Sequence, residues 1–252
     1  MNRITDYSEL KIRIVDWIKD YAITNNIKSL VVGVSGGIDS AIVSTLCAET
    51  GLPTYVLSMP LLSSAKNDLL SDSHVKTLEA NYSNVTRVRV ELSGVYYKFI
   101  HSLNWWTNSS EYTSNELTNA NTKSRLRMVT LYQVAGSVNG IVVGTGNKVE
   151  DYGIGFYTKY GDGGVDIAPI ADLYKTEVWM LGEYLKVDER IISAPPTDGL
   201  WDDGRTDEDQ IGASYAELEQ AMETGSGPGL EPLLKFSAMN GHKMNPIPTF
   251  KL

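Results

Sequence analysis

A glycine-rich turn between an apolar run and a helical run constrains the fold of this chain more than any other feature. Leu30–Val32 is typical of a buried strand, Gly33–Ser40 forms the turn, and Ala41–Leu46 continues as a helix. Gly36 and Gly37 can adopt positive φ, which lets backbone N–H groups approach an anion. The start of the following helix adds the positive end of its dipole. This arrangement predicts a phosphate-binding loop.

The end of this turn argues against γ-phosphoryl transfer. A Walker loop ends in Gly-Lys-Ser/Thr, whose lysine reaches the β- and γ-phosphates, but Ile38, Asp39 and Ser40 occupy that place here. An aspartate in an anion site is repulsive unless a cation lies against it, so Asp39 predicts Mg²⁺ bridging to phosphate oxygens. The turn therefore predicts pyrophosphate chemistry on a nucleotide. A glycine-rich helix start that binds no ligand is the structural alternative.

Three further apolar, β-branched runs alternate with helical segments. They are Thr54–Met59, Val85–Leu92 and Ile141–Thr145. This alternation predicts a Rossmann-like α/β fold, with a parallel sheet and helices on both faces. Ligands of such folds gather at the carboxyl ends of the strands, where the loops converge.

Apolar residues at helical spacing place the helices. They predict a first helix capped by Ser8 and ending near residues 25–26, with others over about 73–80 and 121–138. Further helices are expected after Asp172 and near Ser214. The apolar stripe of the 121–138 segment is suited either to the core or to a dimer interface. Residues 199–209, which are acidic and rich in glycine, and residues 61–71 are expected to form mobile loops or lids that order over a ligand.

Composition narrows the classes of function. The 252 residues are 42% hydrophobic and 21% charged, which suits a single globular domain over 1–252. The net charge of −9 argues against a nucleic-acid partner, and no apolar run reaches membrane-spanning length. The chain lacks the pattern of a secretory signal, so a cytoplasmic location is expected. The single cysteine, Cys47, is predicted to pack as a small apolar residue, and the histidines His74 and His101 to lie on helix surfaces.

Two later segments carry candidate ligand-binding residues. Gly144–Glu150 follows a predicted strand, so Glu150 is expected near Asp39, where two carboxylates could share Mg²⁺. A solvated loop acid is the alternative for Glu150. Thr158–Asp166 contains three glycines, two aspartates and a lysine without any regular period, which suits contacts with an anion or a sugar.

Taken together, these motifs resemble the ammonia-dependent NAD⁺ synthetases, which belong to the ATP-pyrophosphatase group, over nearly the whole chain. The matching segments are Ser35–Ser40, Asn121–Met128, Gly144–Glu150, Thr158–Gly164, Lys175, Pro196-Thr197, Thr206–Asp209 and His242-Lys243. Glutamine-using relatives carry an additional nitrilase-like glutaminase domain. None is expected here, so ammonia would come from outside.

The resemblance implies a two-step reaction that ends NAD⁺ biosynthesis. The carboxylate of nicotinic acid adenine dinucleotide (deamido-NAD⁺) would attack the α-phosphorus of ATP and release pyrophosphate. Ammonia would then displace AMP from the adenylate to give NAD⁺. The resemblance also implies ATP as co-substrate, Mg²⁺ as cofactor, and a homodimer whose dinucleotide site lies at the subunit interface.

The resemblance assigns roles to individual residues. The residues expected to bind ATP are Gly33, Val34, Ser35, Gly36, Gly37, Ile38, Asp39, Ser40, Thr145, Lys175 and Thr197. Those expected to bind deamido-NAD⁺ are Arg127, Lys159, Asp166, His242 and Lys243. Asp39 and Glu150 would hold the metal, and the catalytic residues would be Lys175 and Asp162, the latter where ammonium binds and loses a proton.

Some alternatives stay open. The spacing from Glu150 to Thr158 is one residue longer than in many relatives, so Asp151 could hold the metal instead of Glu150. Another pyrophosphate-releasing amidating or thiolating enzyme would share the first loop. A non-catalytic adenine-nucleotide sensor would bind ATP without releasing pyrophosphate.

Overall fold

The central sheet contains four parallel strands, which confirms the predicted parallel sheet. The computed structural model describes residues 3–62, 65–103, 115–197 and 205–251. The strands are β1 (Ser29–Gly33), β2 (Thr54–Ser58), β3 (Val85–Arg89) and β4 (Gly140–Val142). Their order across the sheet is β3-β2-β1-β4. Leu30 of β1 is in register with Thr54 of β2 on one side and Ile141 of β4 on the other. The carboxyl ends of all four strands therefore lie along one edge.

Helices connect and cover these strands. Those in the described part of the chain are α1 (Tyr7–Thr24), α2 (Ile38–Glu49), α3 (Ala65–Asn81), α4 (Ser93–Ser102), α5 (Glu116–Ser137), α6 (Lys175–Tyr184), α7 (Glu189–Ile192), α8 (Asp207–Ile211), α9 (Tyr215–Thr224), α10 (Leu230–Met244) and a π-helical turn, Lys148–Ile154. None of them is long and apolar enough to cross a membrane.

The sheet is packed on both faces because successive side chains of a strand point in opposite directions. Leu30 and Val32 belong to a core cluster with residues of α1, α2 and α6. Val31 and Val142 belong to a second cluster, on the other face, with residues of α4 and α5. Cys47 lies in the first cluster, where burial raises the pKa of its thiol, in agreement with the predicted packing role.

Two expectations about helix starts were wrong. The cap of α1 is Asp6, whose carboxylate accepts from the backbone N–H groups of Ser8 and Glu9, so the helix begins before Ser8.

Helix α3 begins at Ala65, so most of residues 61–71 form no loop. Its polar first turns have weak helical signals, but Leu70 packs into the first core cluster and Ser71 donates to the Val34 carbonyl at 2.8 Å. Tertiary contacts there override local propensity.

His74 is buried, which corrects the prediction that it lies on a helix surface. Its Nε2 atom is 2.9 Å from the hydroxyl of Ser44 on α2. Burial lowers the pKa of His74 to about 4. His101 is exposed, as predicted.

Candidate active site

A cleft lies above the carboxyl edge of the sheet and contains every residue predicted to bind ATP. Its floor is the turn Gly33–Ser40, and its walls include Thr145, Lys175 and Thr197. Arg127 of α5, Glu150 and Asp162 also line it. The parallel topology brings these distant segments together because each follows, or packs beside, a strand end on the same edge.

The glycine-rich turn Gly33–Ser40 is stabilised by hydrogen bonds of its own hydroxyl groups. Ser40 donates to the Gly37 carbonyl at 2.9 Å, and its oxygen is 3.1 Å from that of Ser35. Gly36 has a φ of +92°, a conformation that side chains with a Cβ rarely adopt. Gly37 precedes α2 without a side-chain cap, so the first N–H groups of α2 can take an anion as their acceptor.

A buried lysine joins the two predicted metal carboxylates. The Nζ atom of Lys175 lies 2.6 Å from Oδ2 of Asp39 and 2.9 Å from Oε1 of Glu150. The Lys175 side chain is only 2% exposed. Burial acts to lower its pKa, but the two carboxylates outweigh this and raise it. Asn147 adds a hydrogen bond of 3.0 Å to Oδ1 of Asp39.

The two carboxylates differ in their surroundings. Burial raises the pKa of Asp39, against the opposing effect of the Lys175 charge. Burial acts in the same direction on Glu150, but the Lys175 charge and hydrogen bonds from Lys175 and Tyr215 leave its pKa lowered.

The arrangement suits a hard cation. Asp39 and Glu150 already converge on one positive group, the Lys175 ammonium, and both offer the oxygen ligands that Mg²⁺ prefers. No cluster of three or more His, Cys, Asp or Glu side chains with metal-binding geometry occurs among the described residues. Water and phosphate oxygens would therefore have to complete the coordination of a divalent ion.

Glu150 lies on the π-helical turn Lys148–Ile154. Asn147 caps this turn by accepting from the N–H groups of Val149 and Glu150, each at 3.1 Å. A π-helix takes more residues per turn than an α-helix, and such turns occur frequently at functional sites. Asp151, the alternative metal ligand, also lines the cleft, but of these two neighbouring carboxylates it is Glu150 that accepts from Lys175. Burial and the charges of Asp162 and Glu150 raise the pKa of Asp151 well above its usual value.

Asp162, which also lines the cleft, is fixed by hydrogen bonds. Its Oδ1 atom accepts from Ser124 at 2.6 Å and from the Thr158 N–H at 3.0 Å. A Cβ on Gly161 would lie 2.3 Å from the Ser124 hydroxyl oxygen, so this approach requires glycine. Burial raises the pKa of Asp162, which moves the carboxylate toward the range of a useful proton acceptor.

The residues predicted to bind the dinucleotide are more scattered. Arg127 lines the cleft, and its Nε donates to the Met59 carbonyl at 3.3 Å. The others do not line this cleft: Lys159, Asp166, His242 and Lys243.

Two of these outlying residues form hydrogen bonds within the protein, and Lys159 is half-buried with its Nζ atom 5.4 Å from the centre of the Tyr160 ring. Asp166 accepts from the Val142 N–H at 2.7 Å and from the Tyr132 hydroxyl at 3.0 Å, so both of its oxygens are occupied. Lys243 donates to the Tyr157 carbonyl at 2.6 Å. His242, near the end of α10, is exposed.

Comparison with known proteins identifies the family to which this geometry belongs. Residues 10–237 match the family model described as NAD synthase. The chain belongs to the NAD synthase family. An NH3-dependent NAD(+) synthetase of Carboxydothermus hydrogenoformans is 38% identical over 88% of each chain. The predicted family resemblance is therefore confirmed.

Solved structures agree with the NAD synthase fold. A structure of an NMN synthetase from Francisella tularensis is 30% identical and has a TM-score of 0.89, covering 99% of this chain and 100% of its own. An NH3-dependent NAD synthetase from Campylobacter jejuni is 25% identical and has a TM-score of 0.78, covering 98% of this chain and 100% of its own.

Sequence reasoning missed several residues of this NAD synthase site. Asn147, Ser124 and Tyr215 contact Asp39, Asp162 and Glu150, respectively. Asn147 and Ser124 lie within motifs that carried the resemblance, so their position in those motifs was a usable signal. Tyr215 has no such signal, because a tyrosine at the start of an amphipathic helix is typical of a core residue. The expected lid falls partly on residues 198–204, which lie outside the described residues.

Proposed function

We propose that this chain amidates deamido-NAD⁺ with ammonia, converting ATP to AMP and pyrophosphate through an adenylated intermediate. The observation that carries the proposal is the buried centre formed by Lys175, Asp39 and Glu150 beside the glycine-rich turn. Membership of the NAD synthase family and the names of the relatives support the same reaction.

The proposal gives the first step a physical basis. A carboxylate is a poor electrophile until one oxygen becomes part of a good leaving group, and its attack on ATP brings two anions together. The N-terminus of α2 would bind phosphate oxygens, and Lys175 would neutralise negative charge that develops near the α-phosphorus. Mg²⁺, held by Asp39 and Glu150, would supply charge neutralisation and orientation of the phosphates.

The second step needs a neutral amine. Ammonium has no lone pair for attack, so a group near the adenylate must accept its proton. Asp162 is the proposed acceptor, because burial raises its pKa and Ser124 fixes its orientation. The proposal assigns Asp162 a catalytic role on these grounds.

The dinucleotide is proposed to bind beside Arg127 and across the interface of a homodimer. Val129, which follows Arg127 by two positions on α5, is 58% exposed, although it is apolar. Lys159, Asp166, His242 and Lys243 would complete the dinucleotide site. We place the enzyme in the cytoplasm, with small molecules as its only substrates.

One assay tests this proposal. The pure protein is incubated with Mg²⁺-ATP, deamido-NAD⁺ and either ammonium or glutamine, and NAD⁺ and AMP are measured together. We expect equal amounts of both products with ammonium and loss of activity in Asp39→Asn. NAD⁺ formation from glutamine would contradict the assignment of free ammonia as the nitrogen source. AMP formation without NAD⁺ would favour another pyrophosphate-releasing enzyme.

A second candidate substrate is nicotinic acid mononucleotide. The observation that favours it is the TM-score of 0.89 to the solved NMN synthetase, compared with 0.78 to the solved NAD synthetase from Campylobacter jejuni. Amidation of the mononucleotide would use the same adenylation chemistry on a smaller substrate. The ratio of kcat/KM for the two substrates, measured under identical conditions, decides between them.

A further inference from the structure

Tyr215 contacts Glu150 of the candidate site, although it lies outside the sequence motifs from which that site was inferred. It is the first residue of α9, and its side chain is almost completely buried. Its hydroxyl lies 2.6 Å from Oε1 of Glu150 and 3.3 Å from Oδ2 of Asp207. The ring packs edge-on against Trp179, with centroids 5.8 Å apart. The phenol therefore enters an apolar layer but directs its polar end at two carboxylates.

The contact with Glu150 fixes the orientation of that carboxylate. A buried phenol requires a hydrogen-bond partner, and donation to a charged acceptor is stronger than donation to a neutral one. Tyr215 and Lys175 both donate to the same oxygen, Oε1 of Glu150. Two donors from different elements, α9 and α6, restrict rotation of the carboxyl group. Its other oxygen is thereby held in a defined direction.

The contact with Asp207 extends this arrangement to another part of the ATP site. Asp207 is the first residue of α8, and its backbone N–H donates to the Pro196 carbonyl at 3.0 Å. Thr197, expected to contact ATP, donates to the Arg205 carbonyl at 3.3 Å. A hydroxyl has one proton, so Tyr215 donates mainly to Glu150, at 2.6 Å, and shares that proton more weakly with Asp207, at 3.3 Å. It thus connects the Glu150 carboxylate with the segment that carries Thr197.

We propose that Tyr215 is a positioning residue for binding of the metal–nucleotide complex, because its hydroxyl fixes the orientation of the Glu150 carboxylate. The same hydroxyl links the π-helical turn that carries Glu150 to helix α8, which carries Asp207. Tyr215 contacts no substrate on this view and acts only through Glu150. The inference rests on the proposed function in one respect, namely that Glu150 faces a divalent cation bound to ATP.

Tyr215→Phe removes the hydroxyl and keeps the ring that packs against Trp179. The matched control is Tyr82→Phe, because Tyr82 also donates to a carboxylate, Glu49, at 3.1 Å but lies away from the cleft. Binding is measured by calorimetry with α,β-methylene-ATP, once with Mg²⁺ and once with EDTA. In Tyr215→Phe we expect the affinity for the Mg²⁺ complex to fall about tenfold, as for loss of one hydrogen bond to a charged group.

The metal-free nucleotide separates positioning from general damage. In Tyr215→Phe its affinity is expected to stay within about twofold, because the metal-free nucleotide brings no cation to Glu150. In Tyr82→Phe both affinities are expected to stay within about twofold, because Tyr82 donates to Glu49 and not to Glu150. Equal weakening of both nucleotide forms in Tyr215→Phe, or no weakening of the Mg²⁺ complex, would overturn the inference. Thermal unfolding of each variant establishes that it is folded.

A double-mutant cycle with Glu150→Gln tests whether Tyr215 acts through Glu150. The Tyr215→Phe substitution is expected to change the affinity for the Mg²⁺ complex by less than about twofold once Glu150 is replaced. Fully additive effects would contradict the inference. These assays need no turnover, so absence of NAD⁺ synthesis in the wild type would overturn the proposed function and leave the test of Tyr215 intact.

Discussion

At the scale of single residues, the burial of Lys175 places unusual demands on its surroundings. A charged amine at 2% exposure is tolerated only with compensating charges, and here Asp39 and Glu150 provide them. In the proposed function, the Lys175 ammonium exchanges one of its two carboxylate partners for a phosphate of ATP and so stays paired with negative charge throughout.

The stability of the metal-free protein should therefore depend on Lys175. Lys175→Met leaves two buried carboxylates without their cation, and we expect a loss of about 3–5 kcal/mol in the free energy of unfolding. Mg²⁺ should then raise the thermal midpoint of this variant more than that of the wild type, because a ligand of the native state stabilises it. Thermal unfolding in EDTA and in Mg²⁺ measures both effects.

The control for this prediction is Lys11→Met. Lys11 pairs with Glu49 at 3.0 Å, but both side chains are about a quarter exposed. Such a pair is worth about 0–1 kcal/mol, and no Mg²⁺ effect is expected there. Equal stability changes in the two variants would show that the buried Lys175 centre contributes no more than an exposed ion pair.

Asp162 should separate the two chemical steps. Asp162→Asn keeps an oxygen that can accept from Ser124 but removes the proton acceptor proposed for ammonium. We expect amidation to fall about 100-fold or more, the usual size of a general-base contribution, while pyrophosphate release continues. Rapid-quench measurement of pyrophosphate and NAD⁺ in the same reaction distinguishes the steps. Unchanged NAD⁺ formation would exclude this role.

At this scale the sequence predicts the charged residues of the centre better than the residues that form hydrogen bonds to them. Asp39 and Glu150 were recognisable because each lies in a glycine-containing turn after a predicted strand, whereas the role of Lys175 came from the family resemblance. Tyr215 was not recognisable, since its function depends on which atom its hydroxyl reaches across 65 positions of chain. Tertiary packing determines that distance, and the local pattern does not specify it.

At the scale of elements, the contact between α2 and α3 contains a pH-sensitive group. The pKa of His74 is lowered to about 4 from 6.5, mainly by burial, although the nearby Asp188 charge opposes this shift. The folded state therefore binds fewer protons than the unfolded state between these two values. Stability is fully present above about pH 6.5 and is lost progressively as the pH falls toward about 4.

His74→Gln should flatten this part of the stability profile. The shift corresponds to about 3 kcal/mol of stability, and the variant has no imidazole to protonate. Urea unfolding at several pH values between about 4 and 7 measures the slope. His101→Gln, at an exposed position of α4, is the control and should retain the wild-type slope. An unchanged slope in His74→Gln would assign the acid sensitivity to other groups.

The sequence predicted the existence of elements better than their boundaries. Strand and helix periodicity located all four strands, because apolar β-branched runs must be buried in a parallel sheet. The start of α3 was missed because its first turns are polar, and Leu70 contributes only through contact with the core. The burial of His74 was missed for a related reason, since its partner Ser44 lies on another helix.

At the scale of the whole molecule, strand order and strand identity are different problems. Alternation of strands and helices predicts parallel pairing, but it does not specify that β1 lies between β2 and β4. That order is what places the turn after β1 beside Thr145, after β4, and forms the cleft between them. The candidate site could therefore be inferred as a set of residues before its geometry could be stated.

The exposed surface of α5 allows the proposed homodimer to be tested. Leu126 packs against the second core cluster, whereas Val129 is 58% exposed on the helix that carries Arg127. In the proposed homodimer, Val129→Asp would place a charge in the apolar interface, where it is costly to desolvate. We expect this variant to sediment as a monomer and to show a raised KM for deamido-NAD⁺, with ATP binding retained.

Ile12→Asp controls for the change in surface charge. Ile12 is 52% exposed on α1, which covers the opposite face of the sheet from α5, so this variant should remain dimeric with an unchanged KM. Analytical ultracentrifugation and steady-state kinetics are performed at the same protein concentration, because dimerisation depends on it. A dimeric Val129→Asp protein would place the interface on another surface. A monomeric variant with an unaltered KM would instead separate the dinucleotide site from the interface.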